Sequence, residues 1–287
     1  LWLRIALAGY EFACIQEPLG AYRILAGSKM SHIARLEQSI FLILDRVFAD
    51  TRLPADVASE KDQVYKMWRF WISCRYYAVG QWAEAQRNLA EALVSPSLLL
   101  AQPDTFVQLL RDNALNSPVG EPVRFVNDVF EHLPPGHNDV SRYRSQVLGQ
   151  VYTALALRNY GLGRIDEAKR QLAESITMNP DIVNQPENFF KALAYNALSL
   201  PVKSPLQYVN TVFQNLPQPA QQLKQARSHI LSQVSIGYAF ESYHAGQRRL
   251  VVQQVLTALR YRPAWLSNKG VTAIFFRSLL GLSLEAR

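Results

Sequence analysis

Apolar residues recur along most of this chain at steps of three and four, the spacing of one face of an α-helix. Leu36, Ile40, Ile43, Leu44 and Val47 make the first long run, and Leu53-Pro54 closes it, because proline cannot continue a helix. A second helix over about 62–79 carries Trp68, Trp71, Ile72 and Tyr76 on its apolar side and breaks at Gly80. A third, over about 82–94, carries Ala85, Leu89, Ala92 and Leu93. Two more follow. One opens at Pro103-Asp104, with proline and an acid in the first turn where both are favourable, and the other spans 122–133. Residues 1–35 have a different texture. Leu1, Trp2, Leu3, Ile5 and Leu7 predict a helix ending at Gly9. Phe12–Ile15 and Leu19–Ile24 predict two short strands around Glu17-Pro18, and Ser31 is placed to cap the next helix.

From 62 onward the pattern returns at a step of 83 residues. Gly80, Gly163 and Gly246 keep that step, as do Tyr77, Tyr160 and Tyr243, and Leu89, Leu172 and Val255. Residues 101–134 and 184–217 are identical at 16 of 34 positions, including Gln-Pro, Asn-Ala-Leu, Val-Asn and Val-Phe. The Val-Phe…Leu-Pro ending of that block also occurs as Val47-Phe48…Leu53-Pro54. A fixed period marks a repeat architecture, in which no unit buries its apolar faces alone. The expected organisation is a short segment, 1–35, followed by a helical-repeat domain, 36–287. The latter divides into a partial unit at 36–61, full units at 62–144 and 145–227, and a partial unit at 228–287.

The paired helices resemble tetratricopeptide repeats. In the second unit the large, leucine, small, glycine, alanine, large, small, proline pattern falls on Tyr152, Leu155, Ala156, Gly163, Ala168, Leu172, Ser175 and Pro180. Small residues at Ala156 and Ala168 let the two backbones approach. Arg69 and Ser235 depart from the pattern where a large residue is expected. The resemblance implies an all-α fold, a right-handed α-solenoid of tetratricopeptide-like hairpins in 83-residue units, with a short α/β remnant at the N-terminus.

That remnant, LWLRIALAGYEFACIQEPLGAYRILAGSKMS, resembles the end of the catalytic domain of bacterial family 2 glycosyltransferases. The helix, the GYxF, the xEPL and the Tyr22-Arg23 pair follow in the family's order, over about a tenth of the chain. The family's acidic pair would fall before Leu1, and Leu25 stands where the family often has histidine. The resemblance implies a parent enzyme that transfers a sugar, with inversion, from a nucleotide-sugar donor to a glycan or lipid-linked acceptor, with a divalent metal. It implies no cofactor in these residues, and this chain alone is expected to be inactive. Tyr22 and Arg23 are the candidate substrate-binding residues; a strand-edge contact is the other reading of that pair. The chain starts at Leu1, inside an apolar helical pattern, and is expected to be a piece of something longer.

Composition narrows the remaining classes. Hydrophobic residues make up 49% and charged residues 18%, which fits a folded chain rather than a disordered one. The net charge of +7 is spread along the sequence without a basic stripe, so nucleic acid is not expected as a partner. Two cysteines, Cys14 and Cys74, form no paired spacing, which points away from a disulfide scaffold or zinc site and fits a reducing compartment. No apolar run approaches the roughly 20 residues of a membrane span. The expected location is cytoplasmic, with room for peripheral association at the inner face of the membrane.

Five histidines form no metal-binding pair, and there is no Gly-rich phosphate loop or Asp-x-Asp. Tyr77, Tyr160 and Tyr243 fall where tetratricopeptide domains often present ligand contacts. They read either as an aromatic ladder for a sugar or peptide partner or as packing tyrosines. Arg75 and Arg158 lie two residues before the first two, but Glu241 takes that place in the third, so no shared anion site follows. Asn113 and Asn196 are expected to satisfy backbone groups near helix C-termini. The repeat domain is expected to bind a protein partner, a glycan acceptor or a second copy. The alternative is a stand-alone scaffold for protein–protein interaction without an enzymatic role.

Overall fold

The computed structural model describes residues 2–15, 32–95, 97–116, 121–202 and 204–281. Among them the chain is all-helical, with no strand. It divides into two compact units, Leu1–Val147 and Leu148–Arg287, the division falling near the start of one long helix.

The first unit begins with α1 (Trp2–Leu7), which ends as expected before Gly9, where φ is +82°. Among the described residues the α/β remnant is not seen. Phe12 and Ile15, expected in a strand, lie in irregular, exposed backbone. A strand needs a neighbour for its N–H and C=O groups, and the described residues supply none. The second expected strand, Leu19–Ile24, lies outside the described residues, as does Ser31. The helix after it, α2 (Ile33–Phe48), has His32 at its N-cap without a side-chain cap.

After a short turn, α3 (Ala55–Ser59), come α4 (Lys61–Ala78) and α5 (Trp82–Leu93), packed as an antiparallel hairpin. Gly80 makes the turn at φ +74°. Its N–H donates to Tyr77 O at 3.1 Å, and Gln81 N donates to Tyr76 O at 3.0 Å. These two bonds are a Schellman closure, which needs a left-handed residue that glycine adopts without steric cost. A single helical turn, α6 (Leu98–Ala101), capped by Ser97, leads to α7 (Pro103–Asn116) and then α8 (Pro122–Glu131). Both α7 and α8 begin on proline, whose missing N–H costs nothing in a first turn.

The same sequence of elements follows. α9 (Arg144–Gly161) and α10 (Ile165–Met178) make a hairpin closed at Gly163, again at φ +74°. α11 (Asp181–Asn184), α12 (Glu187–Ser199) and α13 (Pro205–Gln214) come next, with the Ser204 hydroxyl accepting from Gln207 N at the N-cap of α13. α14 (Arg227–His244) and α15 (Arg248–Tyr261) form a third hairpin about Gly246, and α16 (Lys269–Leu279), capped by Asn268, ends the described fold. α4, α9 and α14 have 18 residues each and start at 61, 144 and 227.

The core of the second unit joins Ala156, Leu157, Ala168 and Leu172 of one hairpin to Leu193, Ala197, Val209, Val212 and Phe213 of α12 and α13. The α9–α10 approach is close. A Cβ added at Gly149 would stand 2.6 Å from the Cβ of Asn179. The Gly149 carbonyl accepts from the hydroxyls of both Thr153 and Ser175, at 3.0 and 2.7 Å. Small side chains therefore do two things there: they admit the neighbouring backbone and they satisfy its polar groups. No described helix is long and apolar enough to cross a membrane.

Candidate functional site

The repeated tyrosines sit near the C-terminal ends of α4, α9 and α14. Tyr77 and Tyr160 are almost wholly buried. The Tyr77 hydroxyl donates to the His132 carbonyl at 2.7 Å, and the Tyr160 hydroxyl donates to the Asn215 carbonyl at 2.6 Å. The acceptors are the C-cap residues of α8 and α13. Burial pushes both phenols well above the ordinary tyrosine range. Neither ring presents a face to a ligand, so of the two readings the packing one describes Tyr77 and Tyr160. Tyr243 is half-buried, and its buried hydroxyl has no acceptor. Tyr22 and Arg23 lie outside the described residues.

The asparagines behave as expected. Asn113 Nδ2 donates to Leu109 O and Asn196 Nδ2 donates to Ala192 O, both at 2.8 Å, each reaching back one helical turn.

Arg75 and Arg158 differ. Arg158 is exposed, while Arg75 is half-buried over the Trp71 ring, its guanidinium carbon 4.5 Å from the ring centroid. Trp68 braces Trp71 edge-on at 5.5 Å. The Nε of Arg75 is buried without a hydrogen-bond partner, and desolvation lowers the pKa of the guanidinium. Around it lies a recess of about 210 Å³ lined by Trp71, Cys74, Arg75, Asp112, Asn113 and Asn116. Asp112 also lines the recess, its Oδ1 held by Arg111 at 2.7 Å. Asn113 and Asn116 each donate one amide N–H to a backbone carbonyl of their own helix. The recess therefore joins an arginine whose Nε has no partner, an aromatic wall, amide oxygens and the Asp112 carboxylate. It suits a ligand that brings an acceptor for Arg75 and donors for the oxygens around it.

A second polar cluster closes on itself. Glu37 of α2 is buried and accepts from Arg69 at 2.9 Å, Tyr76 at 2.7 Å and Arg87 at 2.9 Å. Arg69 also reaches Asn88 and Glu91 and lies 3.9 Å from the centroid of Phe41. Its departure from the tetratricopeptide pattern is thus explained, since the arginine ties α2, α4 and α5 together. Sequence reading missed both clusters. The signal for the recess was present in Trp71 and Arg75, one turn apart on α4. Nothing in the sequence joined Glu37 to arginines 32 and 50 residues away.

Among the described residues no group of histidine, cysteine and acidic side chains could hold a metal ion. Cys14 is exposed, and burial pushes the Cys74 thiol up to about 12, so Cys74 is not a nucleophile. No protein-family model matches the chain, and no curated protein or solved structure shows significant similarity to it.

Proposed function

We propose that residues 36–287 form a right-handed α-solenoid of tetratricopeptide-like hairpins in 83-residue units. In this reading it is the interaction region of a family 2 glycosyltransferase whose catalytic domain ends in residues 1–35. The parent enzyme transfers a sugar from a nucleotide-sugar donor, with a divalent metal, to a glycan or lipid-linked acceptor. The helical region holds a partner protein or the acceptor, in the cytoplasm at the inner face of the membrane. The order of the LWLR, GYEF, QEPL and Tyr22-Arg23 segments supports the enzymatic half.

The observation that carries the binding half is Arg75. An unpaired, half-buried guanidinium is costly to keep, and a ligand oxygen would satisfy it. Ligands with carboxylates beside hydroxyls or amides fit this lining, as in acidic glycans and acidic peptides. Calorimetric titration of the chain with acidic and neutral members of both classes tests the reading. Arg75→Gln should weaken the acidic ligand about tenfold, the loss of one charge-assisted bond. Equal binding by wild type and Arg75→Gln would remove the recess from the account.

A further inference from the structure

The surplus positive charge, expected to be spread along the chain, is concentrated in one stretch. Residues 1–217 hold 21 basic and 21 acidic side chains, while residues 218–287 hold nine and two, so the whole net charge of +7 belongs to the latter. Between 218 and 281 Glu241 is the one acid described. So one-sided a stretch sets up a local field that an even mixture of charges does not.

α15 turns this charge outward. Its core face is Val251, Gln254, Val255 and Ala258, all buried. Arg249, Gln253, Leu256 and Arg260 recur at steps of four, three and four on the opposite side, and all four are exposed. The ridge faces solvent in every hairpin. At steps of 83, Ala83 and Asp166 stand in the place of Arg249, Arg87 and Arg170 in that of Gln253, and Val94 and Thr177 in that of Arg260. These six are exposed as well. The chemistry is what differs. α5 carries Glu84 and Glu91, and α10 carries Asp166, Glu167 and Glu174, whereas α15 has no acid. Leu256, 46% exposed, stands between the two arginines where both other hairpins have alanine. Tyr261, 40% exposed, and an exposed Arg262 follow at the C-terminal end.

We propose that this ridge of α15 is the surface by which the protein rests on an anionic phospholipid membrane. Arg249, Arg260 and Arg262 pair with lipid phosphate oxygens, and Leu256 and Tyr261 enter the headgroup layer between them. The leucine favours a lipid surface over nucleic acid, whose phosphate backbone gives an exposed aliphatic side chain nothing to bury against. The proposal rests on the reading that places the protein at the inner face of the membrane, whose leaflet is anionic.

Co-sedimentation of the 287-residue chain with vesicles tests it, using phosphatidylcholine alone or an equal mixture of phosphatidylcholine and phosphatidylglycerol. Binding to the mixed vesicles only is expected, weakening as salt is raised. Arg249→Gln combined with Arg260→Gln should cut the partition about twenty-five-fold, at about fivefold per arginine. Leu256→Gln should weaken it severalfold with no change of charge. Arg158→Gln, which removes an exposed charge from α9, should leave it nearly unchanged. All four positions are exposed, so circular dichroism should report unchanged helix. No binding to the mixed vesicles would overturn the membrane contact altogether. Wild-type binding by the double variant, or an equal loss in Arg158→Gln, would take the contact off α15 and leave the membrane reading standing. Wild-type affinity in Leu256→Gln, or stronger retention on duplex DNA than on vesicles at the same salt, would overturn the choice of lipid.

Discussion

The hydroxyl of Tyr160 donates to the backbone carbonyl of Asn215 at 2.6 Å, joining the end of α9 to the C-cap of α13 across 55 residues of sequence. Tyr77 makes the same bond to His132, and Tyr243 makes none. Tyr77→Phe and Tyr160→Phe should each cost about 1 to 2 kcal/mol, because a carbonyl at a helix end loses its donor. Tyr243→Phe should change stability by less than about 0.5 kcal/mol or raise it. Urea unfolding of the three variants checks this; equal losses at all three positions would contradict the assignment.

A second difference lies one residue earlier. In the second unit Asn159 Nδ2 donates to Gln171 Oε1 at 2.9 Å. At the same places of the third hairpin Ser242 Oγ and Gln254 Oε1 are both buried and unpaired, since serine is too short to span the gap. Ser242→Asn should restore the pair and stabilise the protein by about 1 kcal/mol. A lower melting temperature would show that the site has no room for the amide.

Glu37 receives three donors from two helices, so Glu37→Ala should destabilise by about 2 kcal/mol or more, leaving Arg69 short of a partner in a mostly buried place. Arg87, about half-exposed, contributes to the same carboxylate but should cost less than about 1 kcal/mol when changed to alanine. Denaturant titration should rank the two in that order.

Alkaline pH should loosen the fold in a defined window. Burial raises the Cys74 thiol from 9.0 to about 12. Burial first, and then the bond to Asp45, raises Tyr65 from 10.0 to about 12. Tyr77, Tyr160 and Tyr208 are raised by burial as well. The unfolded chain releases these protons earlier, so their contribution is complete below about pH 9 and is lost between about 9 and 12. Cys74→Ala should delay the onset toward about pH 10, where the tyrosines begin. Thiolate and phenolate absorbance, followed with circular dichroism, reads this directly. Cys74 ionising near its ordinary value of 9.0 would contradict it.

Local signals carried much of the fold. The breaks at Gly80, Gly163 and Gly246 and the proline start of α7 are each set by one or two residues, and each appears where the chain placed it. The strand expected at Phe12–Ile15 failed because apolar alternation says nothing about whether a partner strand exists. The single-turn helices α6 and α11 were too short for periodicity to detect. Long-range polar chemistry was the least legible. Nothing local distinguished the buried, bonded Tyr160 from the unbonded Tyr243, or the half-buried Arg75 from the exposed Arg158. Those differences come from which helix lies alongside.

The proposed glycosyltransferase role is tested most directly by sugar transfer in the parent enzyme, assayed on a panel of nucleotide-sugar donors with and without residues 36–287. The account predicts donor-specific transfer in both forms, with acceptor use or partner association impaired when the helical region is removed. No transfer from any donor by the intact enzyme, or identical product and oligomeric state without the helical region, would contradict it.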